Sequence, residues 1–425
     1  MTAIETALIV AYIYLVANIF TSAILGYAIY SRVKYALSRR IKTKRNEEGS
    51  EEVDRKNIAV LIPAWDEGVE LQKTLDYLLT KPVKRVIVAT YPNDAKTLRA
   101  LEPYKEKIDI IVNSVNGPTN KFQNLCYAFS EIKKRYTDYS YILILDAEVR
   151  PSENYFDVVK RYLRKDTILQ TRVIAYPFYS KNLFEEIMSR MYFVASLHIQ
   201  ETIDKSRTKM GRNIFLKGAG MVFPIHSLDA LLEICRNNKN SFWDKLTKLA
   251  EDTELAILLS TKYRYRIIFI DGTYTWEEAP HRLSIIIKRY ARWFKGNFAN
   301  LIKYHKIILR NFTHYFLIGL QSVLLPLTYV TLSFTLYYLL FPPGREVVHP
   351  LIFYFNAFFA LYYLIFPPLL ATLFENKLKM PKKRFSLIKN FIAHSVYIFI
   401  IPVPVILGFY DILRKKTYWY KTERS

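Results

Sequence analysis

Cysteine is almost missing from this 425-residue chain: only Cys126 and Cys235 occur, far apart in sequence. In a segment expected to be cytosolic, two such residues make neither a disulfide framework nor a thiolate metal site. The seven histidines are scattered without a close pair. That leaves carboxylates as ligands for any metal, a donor set that favours Mg2+ or Mn2+ over zinc. Glycine is scarce too, 12 residues in all, and there is no internal repeat or low-complexity tract. Acids are outnumbered 38 to 61 by Lys and Arg, for a net charge of +23. A nucleic-acid-binding protein would gather that charge on one folded face, and no recognition motif of that kind occurs. Here the charge borders apolar segments instead, as in Arg32, Lys34, Arg39 and Arg40 after the first and Lys377, Lys379, Lys382 and Lys383 before the last. No nucleic-acid partner is expected; the pattern is that of cytosolic loops beside anionic lipid.

What the chain has in quantity is apolar surface, 51% hydrophobic residues with 15% aromatic. Residues 4–30 carry no charge after Glu5. They exceed the ~20 residues that cross a hydrocarbon core and lack a small-residue cleavage site, so 1–30 reads as a retained transmembrane anchor. The basic juxtamembrane linker, 31–56, then places the following segment in the cytosol. Residues 314–341, 350–374 and 387–413 are three further apolar stretches long enough to span, within a transmembrane region 313–413. Three crossings would leave the basic tail 414–425 outside, against the positive-inside rule, and Pro402 with Pro404 points to a broken or re-entrant last segment. Residues 281–312 carry too much charge to span, yet Ile285, Ile286, Trp293, Phe294 and Phe298 recur at helical spacing. They are expected to form an amphipathic helix along the membrane surface. The expected location is therefore the cell membrane, multi-pass, with residues 57–280 forming a cytosolic domain.

Within 57–280, short β-rich runs at 58–62, 83–90, 108–112, 141–145 and 266–270 alternate with amphipathic helical stretches, which implies an α/β domain with a mainly parallel sheet. Ligands of such sheets sit beyond the carboxyl ends of the strands. The first run ends in Pro63 and is followed by Glu67, and the second is followed by Asp94. Each acid can accept hydrogen bonds from a nucleotide's base or ribose, or cap the next helix. The run 141–145 leads into Asp146, Ala147 and Glu148. Acids at i and i+2 of an extended segment project to one side and can share a divalent cation that also binds a diphosphate; a solvated turn before Pro151 reads the same way. Glu251, Asp252 and Glu254 open a helix, where acids are favoured electrostatically and where one of them can also take a proton from a hydroxyl. Arg289 and Arg292 share a helix face beside Trp293. Arginine suits a leaving diphosphate and tryptophan an apolar sugar face, although both are ordinary on interfacial helices.

In that order and spacing, these elements resemble glycosyltransferase family 2 membrane enzymes, the group of cellulose, hyaluronan and chitin-type synthases and ceramide glucosyltransferases. The opening Pro-Ala-x-x-Glu is similar to Pro63 to Glu67, the second-strand acid to Asp94, the Asp-x-Asp to Asp146 to Glu148, and the Glu-Asp motif to Glu251 and Asp252. Residues 117–121 and 276–280 also look like family elements. Two departures stand out: Glu148 replaces the usual second Asp, and Arg289 stands where Gln-x-x-Arg-Trp has its glutamine, a variant similar to that of lipid-glycosylating members.

The resemblance implies a GT-A-type, Rossmann-like mixed sheet and a metal-dependent hexosyltransferase that inverts the sugar's configuration. It implies Asp252 as general base beside Glu251; Asp146 and Glu148 as ligands of Mn2+ or Mg2+; Arg292 and Lys121 as positive charge on the leaving group; and Pro63, Glu67, Asp94 and Asp146 around the nucleotide. Trp293, Arg289 and the glycine loop with Gly218 and Gly220 would meet the acceptor. The donor is a nucleotide sugar, by family habit UDP-linked. The expected acceptor is a membrane lipid or lipid-linked glycan, with a processive polysaccharide synthase and a non-catalytic membrane scaffold as the other two functions compatible with the chain. Retention of every acidic position argues against the scaffold.

Overall fold

The computed structural model describes residues 57–135, 139–237, 241–310, 350–378, 380 and 385–417; the expected spans at 4–30 and 314–341 lie outside them. The described residues form two compact units. One, the sheet unit, holds 57–174 and Arg207–Glu277; the other, the helical unit, holds Ala175–Ser206 and the chain from Glu278 on.

The sheet unit is built on eight strands: β1 (Ile58–Pro63), β2 (Arg85–Thr90), β3 (Asp109–Val112), β4 (Tyr141–Ile144), β5 (Arg150–Pro151), β6 (Thr167–Tyr176), β7 (Met221–Pro224) and β8 (Arg266–Glu278). The last residues of β6 and β8 pass into the helical unit. Their order is β3-β2-β1-β4-β7-β6-β8-β5. Strands β3, β2, β1 and β4 run parallel, with Leu61 opposite both Ile87 and Ile144. Beyond β4 the sheet reverses: β7 is antiparallel to β4 and to β6, and β5 to β8. The expected mainly parallel sheet is thus parallel over half its strands, and β6 and β7 were not foreseen. β8 also continues past the run foreseen at 266–270.

Helices of seven residues or more are numbered here, and five belong to this unit: α1 (Val69–Leu79), α2 (Ala95–Leu101), α3 (Lys121–Arg135), α5 (Leu228–Arg236) and α6 (Glu251–Thr261), with α4 (Leu183–Ile199) intervening in the helical unit. Period-2 geometry sends alternate residues of β1 to opposite faces. Ala59 and Leu61 join Phe122, Leu125 and Phe129 of α3, Leu231 of α5 and Leu255 of α6. Ile58, Val60 and Ile62 join Leu71, Leu75 and Leu78 of α1 and Leu101 of α2. Both faces are covered, so the strand reads as an unbroken apolar run instead of an alternating one.

Two expectations are corrected here. Cys126 of α3 and Cys235 of α5 are joined in a disulfide, their Cα atoms 5.8 Å apart. Distance along the chain concealed this, because the two helices pack on the same sheet face. The metal-motif acids are not in an extended segment: β4 ends at Ile144, and Val149 N donates to Asp146 O at 3.0 Å, closing a turn. Leu145, Ala147 and Val149 are buried while Asp146 and Glu148 are half-buried.

Gly220 precedes β7 with φ at +67°, donates to Ile144 O and accepts from Thr171 N. A Cβ there would stand 2.5 Å from Thr171 Oγ1. Gly220→Ala is therefore expected to destabilise by about 2 kcal/mol, the cost of a left-handed non-glycine residue plus the clash. Chemical denaturation of the two proteins measures it, and equal midpoints with equal slopes would show the site to be unstrained.

In the helical unit, α4 is capped by Asn182, whose side chain accepts from Glu185 N, and continues into a π-helical turn at Gln200–Asp204. It is joined by α7 (Leu283–Lys303), α8 (Pro350–Lys377), α9 (Ser386–Ile400) and α10 (Pro402–Leu413). Arg190 of α4 is wholly buried and fully engaged: it donates to Glu186, to Glu375 of α8 and to Asn390 and Ser386 of α9. A buried guanidinium is tolerable only when paired in this way.

The helix foreseen along the membrane surface is α7, and much of its apolar face is covered by α10. Phe294 and Phe298 pack on Phe409, and Gly408 comes within the reach of Phe294 and Ala291 O. Lys295, buried on the same helix, pairs with Asp411 at 2.8 Å. The prolines foreseen to break the last apolar stretch separate α9 from α10 at Ile401, whose backbone stays in the right-handed helical region. Ser386–Leu413 is, among the described residues, the one helical stretch long and apolar enough to cross a membrane, with mean hydropathy 2.1.

Candidate active site

The carboxyl ends of the parallel strands carry the residues of interest, as this class of sheet dictates. After β1 the chain turns through Asp66, whose φ of +56° is unusual for a non-glycine residue. Asp94, directly after β2, holds that turn: its Oδ2 accepts from Asp66 N at 2.9 Å and from Thr90 Oγ1 at 3.0 Å. Its Oδ1 accepts from Thr97 N at 3.1 Å, capping α2. Asp94 is thus a helix cap that also fixes the neighbouring loop. Glu67 is buried, and its N–H donates to Thr97 Oγ1.

Beside this loop lie residues to which the sequence reading gave no role. Trp65 and Tyr91 meet edge to face, ring centres 5.4 Å apart, and both rings close on Gly117. Asn93 exchanges two hydrogen bonds with Gly117, one to its carbonyl and one from its N–H, each 2.8 Å. The signal was there to be read: each aromatic follows a strand's carboxyl end, where a planar base can stack.

The acids converge one strand further along. Lys121, the first residue of α3, forms an ion pair with Asp146 and donates to Gly218 O at 2.7 Å. A Cβ at Gly218 would stand 3.6 Å from Lys121 Nζ and 3.7 Å from Asp252 Oδ2. Asp146 from the turn after β4, Lys121 from α3, Gly218 from the glycine loop and Asp252 from α6 are therefore gathered around one small volume. Burial works against the Lys121 ammonium, but the carboxylates of Asp146, Glu251 and Asp252 outweigh it and hold its pKa above the ordinary lysine value. It is a permanent cation among three acids.

Gln170, in the unforeseen strand β6, brackets the glycine loop: its amide donates to Ala219 O at 2.8 Å and its oxygen accepts from Lys217 N at 2.7 Å. No motif could have revealed this role, since it is played against backbone atoms from another strand. Of the three acids opening α6, Glu254 is taken by Lys248 at 2.5 Å and by Thr247 and is 1% exposed. Glu251 is buried, whereas Asp252 retains exposed surface.

Arg289, Arg292 and Trp293 lie on α7 in the helical unit. There the Arg289 guanidinium stands 5.4 Å over Tyr192 and 5.9 Å over Trp293, and Tyr290 meets Trp293 edge to face. This is an aromatic cluster with a cation upon it.

A divalent cation can be tested against the donor set. Among the described residues no group of three or more His, Cys, Asp or Glu side chains is placed to hold a metal. Asp146 and Glu148, two half-buried carboxylates in one turn, are of the donor type that suits Mg2+ or Mn2+, which take one or two carboxylates and complete their shell with substrate phosphates. The donor set fits a metal that is shared with a diphosphate.

The solved structures similar to this chain include the mannosyltransferase PcManGT from Pyrobaculum calidifontis, determined in complex with GDP-Man and Mn2+. It is 13% identical, with 93% of this chain and 99% of that chain covered and a TM-score of 0.48. S. aureus TarS is 12% identical, with 80% and 91% covered and a TM-score of 0.34. No curated protein matches in sequence. Residues 55–296 match the family described as glycosyltransferase like family 2, a span that takes in the whole sheet, the acids and most of α7. With more than half its length matched, this chain belongs to glycosyltransferase family 2, whose members draw on nucleotide-sugar donors.

Proposed function

We propose that this protein moves a sugar, with inversion, from a nucleoside diphosphate donor to a hydroxyl or phosphate oxygen of a membrane lipid or lipid-linked acceptor. The observation that carries the reading is the gathering of Asp146, Lys121, Gly218 and Asp252 around one volume at the carboxyl edge of the sheet. Asp252 takes the proton of the acceptor hydroxyl as its oxygen attacks the anomeric carbon, and the bond from that carbon to the diphosphate breaks on the opposite face. Lys121 stabilises the charge gathering on the departing diphosphate, a role that the family resemblance also gives to Arg292. Asp146 and Glu148 would hold Mn2+ or Mg2+, which when bound would neutralise the same diphosphate. The loop shaped by Asp94 and Glu67, with Trp65 and Tyr91, receives the nucleotide. Trp293 and Arg289 face the acceptor sugar or lipid.

Membrane attachment is part of the reading. It is supported by the apolar stretch Ser386–Leu413 and by the exposed Leu361, Ile365, Leu369 and Leu373, spaced four residues apart on one stripe of α8.

The test is a donor screen. The full chain in nanodiscs is supplied with native lipid extract, Mn2+ and radiolabelled UDP- and GDP-sugars, and organic-soluble label is separated from polymer. Label in the organic phase that vanishes with Asp252→Asn is the expected result. High-mass aqueous label would instead mark a polysaccharide synthase. No label from any donor, with no nucleotide binding, would leave a scaffold.

A further inference from the structure

Lys121 is placed where a metal-dependent site would least be expected to put a cation. Its ammonium sits on Asp146 Oδ1, one of the two carboxylates that fit a divalent ion, and on Gly218 O. The pair is partly open, with 20% of the lysine side chain and 33% of the aspartate side chain exposed. Asp252 stands near the same point. A dication bound to Asp146 would thus lie a few ångströms from a fixed positive charge, and at that separation two cations repel strongly even in a partly solvated site.

We propose that Lys121 is a built-in counter-ion that denies Asp146 to the metal until a nucleoside diphosphate arrives. This rests on Asp146 and Glu148 being the metal ligands. A diphosphate changes the balance in two ways. Its oxygens accept from the Lys121 ammonium, which has three N–H donors and so can turn from carboxylate to phosphate without leaving the site. They also complete the shell of the incoming ion, which Asp146 and Glu148 alone do not. Metal and nucleotide then bind as a pair, each raising the affinity of the other by the same factor, as linkage requires. The lysine keeps idle metal out of an empty site and spends its charge on the leaving group once the donor is in place.

The test follows Mn2+ by the loss of its free-ion electron paramagnetic resonance signal, with protein alone and with UDP or GDP, for wild type, Lys121→Met, Lys121→Gln and Lys121→Arg. Wild type is expected to bind Mn2+ at least tenfold more tightly when nucleotide is present. Lys121→Met and Lys121→Gln are expected to bind Mn2+ alone about tenfold more tightly than wild type and to lose most of the nucleotide dependence, while Lys121→Arg keeps it. Circular dichroism melts confirm that both neutral variants fold. If the neutral variants bind Mn2+ alone no better than wild type, while wild type still binds it with nucleotide, the counter-ion idea is overturned and the metal site stands. If wild type holds no Mn2+ even with either nucleotide, the metal site and the counter-ion fall together.

Discussion

Asp252→Asn is expected to slow sugar transfer by about 10²- to 10⁴-fold, the range that a positioned general base contributes. The substitution is a clean one. Asparagine has the same shape and keeps the oxygen that accepts from Thr253 N at 2.9 Å, and the helix cap at Ala250 uses no side chain. What it loses is a proton acceptor and one of the three negative charges around Lys121. Lys121 keeps its ion pair with Asp146, and the loop around Trp65 is untouched, so the larger effect belongs in kcat rather than in the KM for donor. The neighbouring Glu254 is the contrasting control. It is buried against Lys248, and removing it should cost folding stability before it costs chemistry. Turnover of Asp252→Asn within threefold of wild type would remove Asp252 from the mechanism.

The second large effect is structural. Cys126 and Cys235 close a loop of 109 residues, and a cross-link of that length removes enough freedom from the unfolded chain to stabilise the fold by about 4 to 5 kcal/mol in the chain-entropy model. Replacing both with alanine, or reducing the bond, should lower the melting temperature by about 8 to 20 °C, since each kcal/mol moves a domain of about 200 residues by ~2–4 °C. The substituted protein should then melt alike with and without reductant, at the temperature of the reduced wild type. Indifference of the wild type to reductant, with both thiols titrating in the native protein, would show that the bond does not form.

These two cases show what a linear reading can and cannot reach. The parallel half of the sheet was legible because β1, β2 and β4 are apolar runs covered on both faces, and a run of that kind has few other uses. The places of Asp94, Asp146 and Glu148 in the fold were legible because each follows a strand's carboxyl end, a fixed address. β6 was not, since Gln170, Thr171 and Arg172 interrupt it. All three are buried, and Gln170 is bonded to the glycine loop and Arg172 paired with Asp271, partners 47 or more residues away. β7 was hidden by its length of four residues ending in proline. The disulfide was hidden because proximity is made by helix packing and leaves no trace in spacing.

The Arg190 cluster has a consequence in time. Its partners Glu375 and Asn390 follow it by 185 and 200 residues. At ~5–20 residues per second of synthesis, about 10 to 40 s pass between the appearance of this arginine and that of its distant partners, and in that time only Glu186 of the same helix can pair with it. Until then α4 carries an ion pair whose remaining guanidinium N–H groups have no buried acceptor. A ribosome stalled or a chain truncated before Glu375 would therefore leave a helix that stays in water or in the hands of a chaperone, and the last apolar helices act as the release that lets it pack.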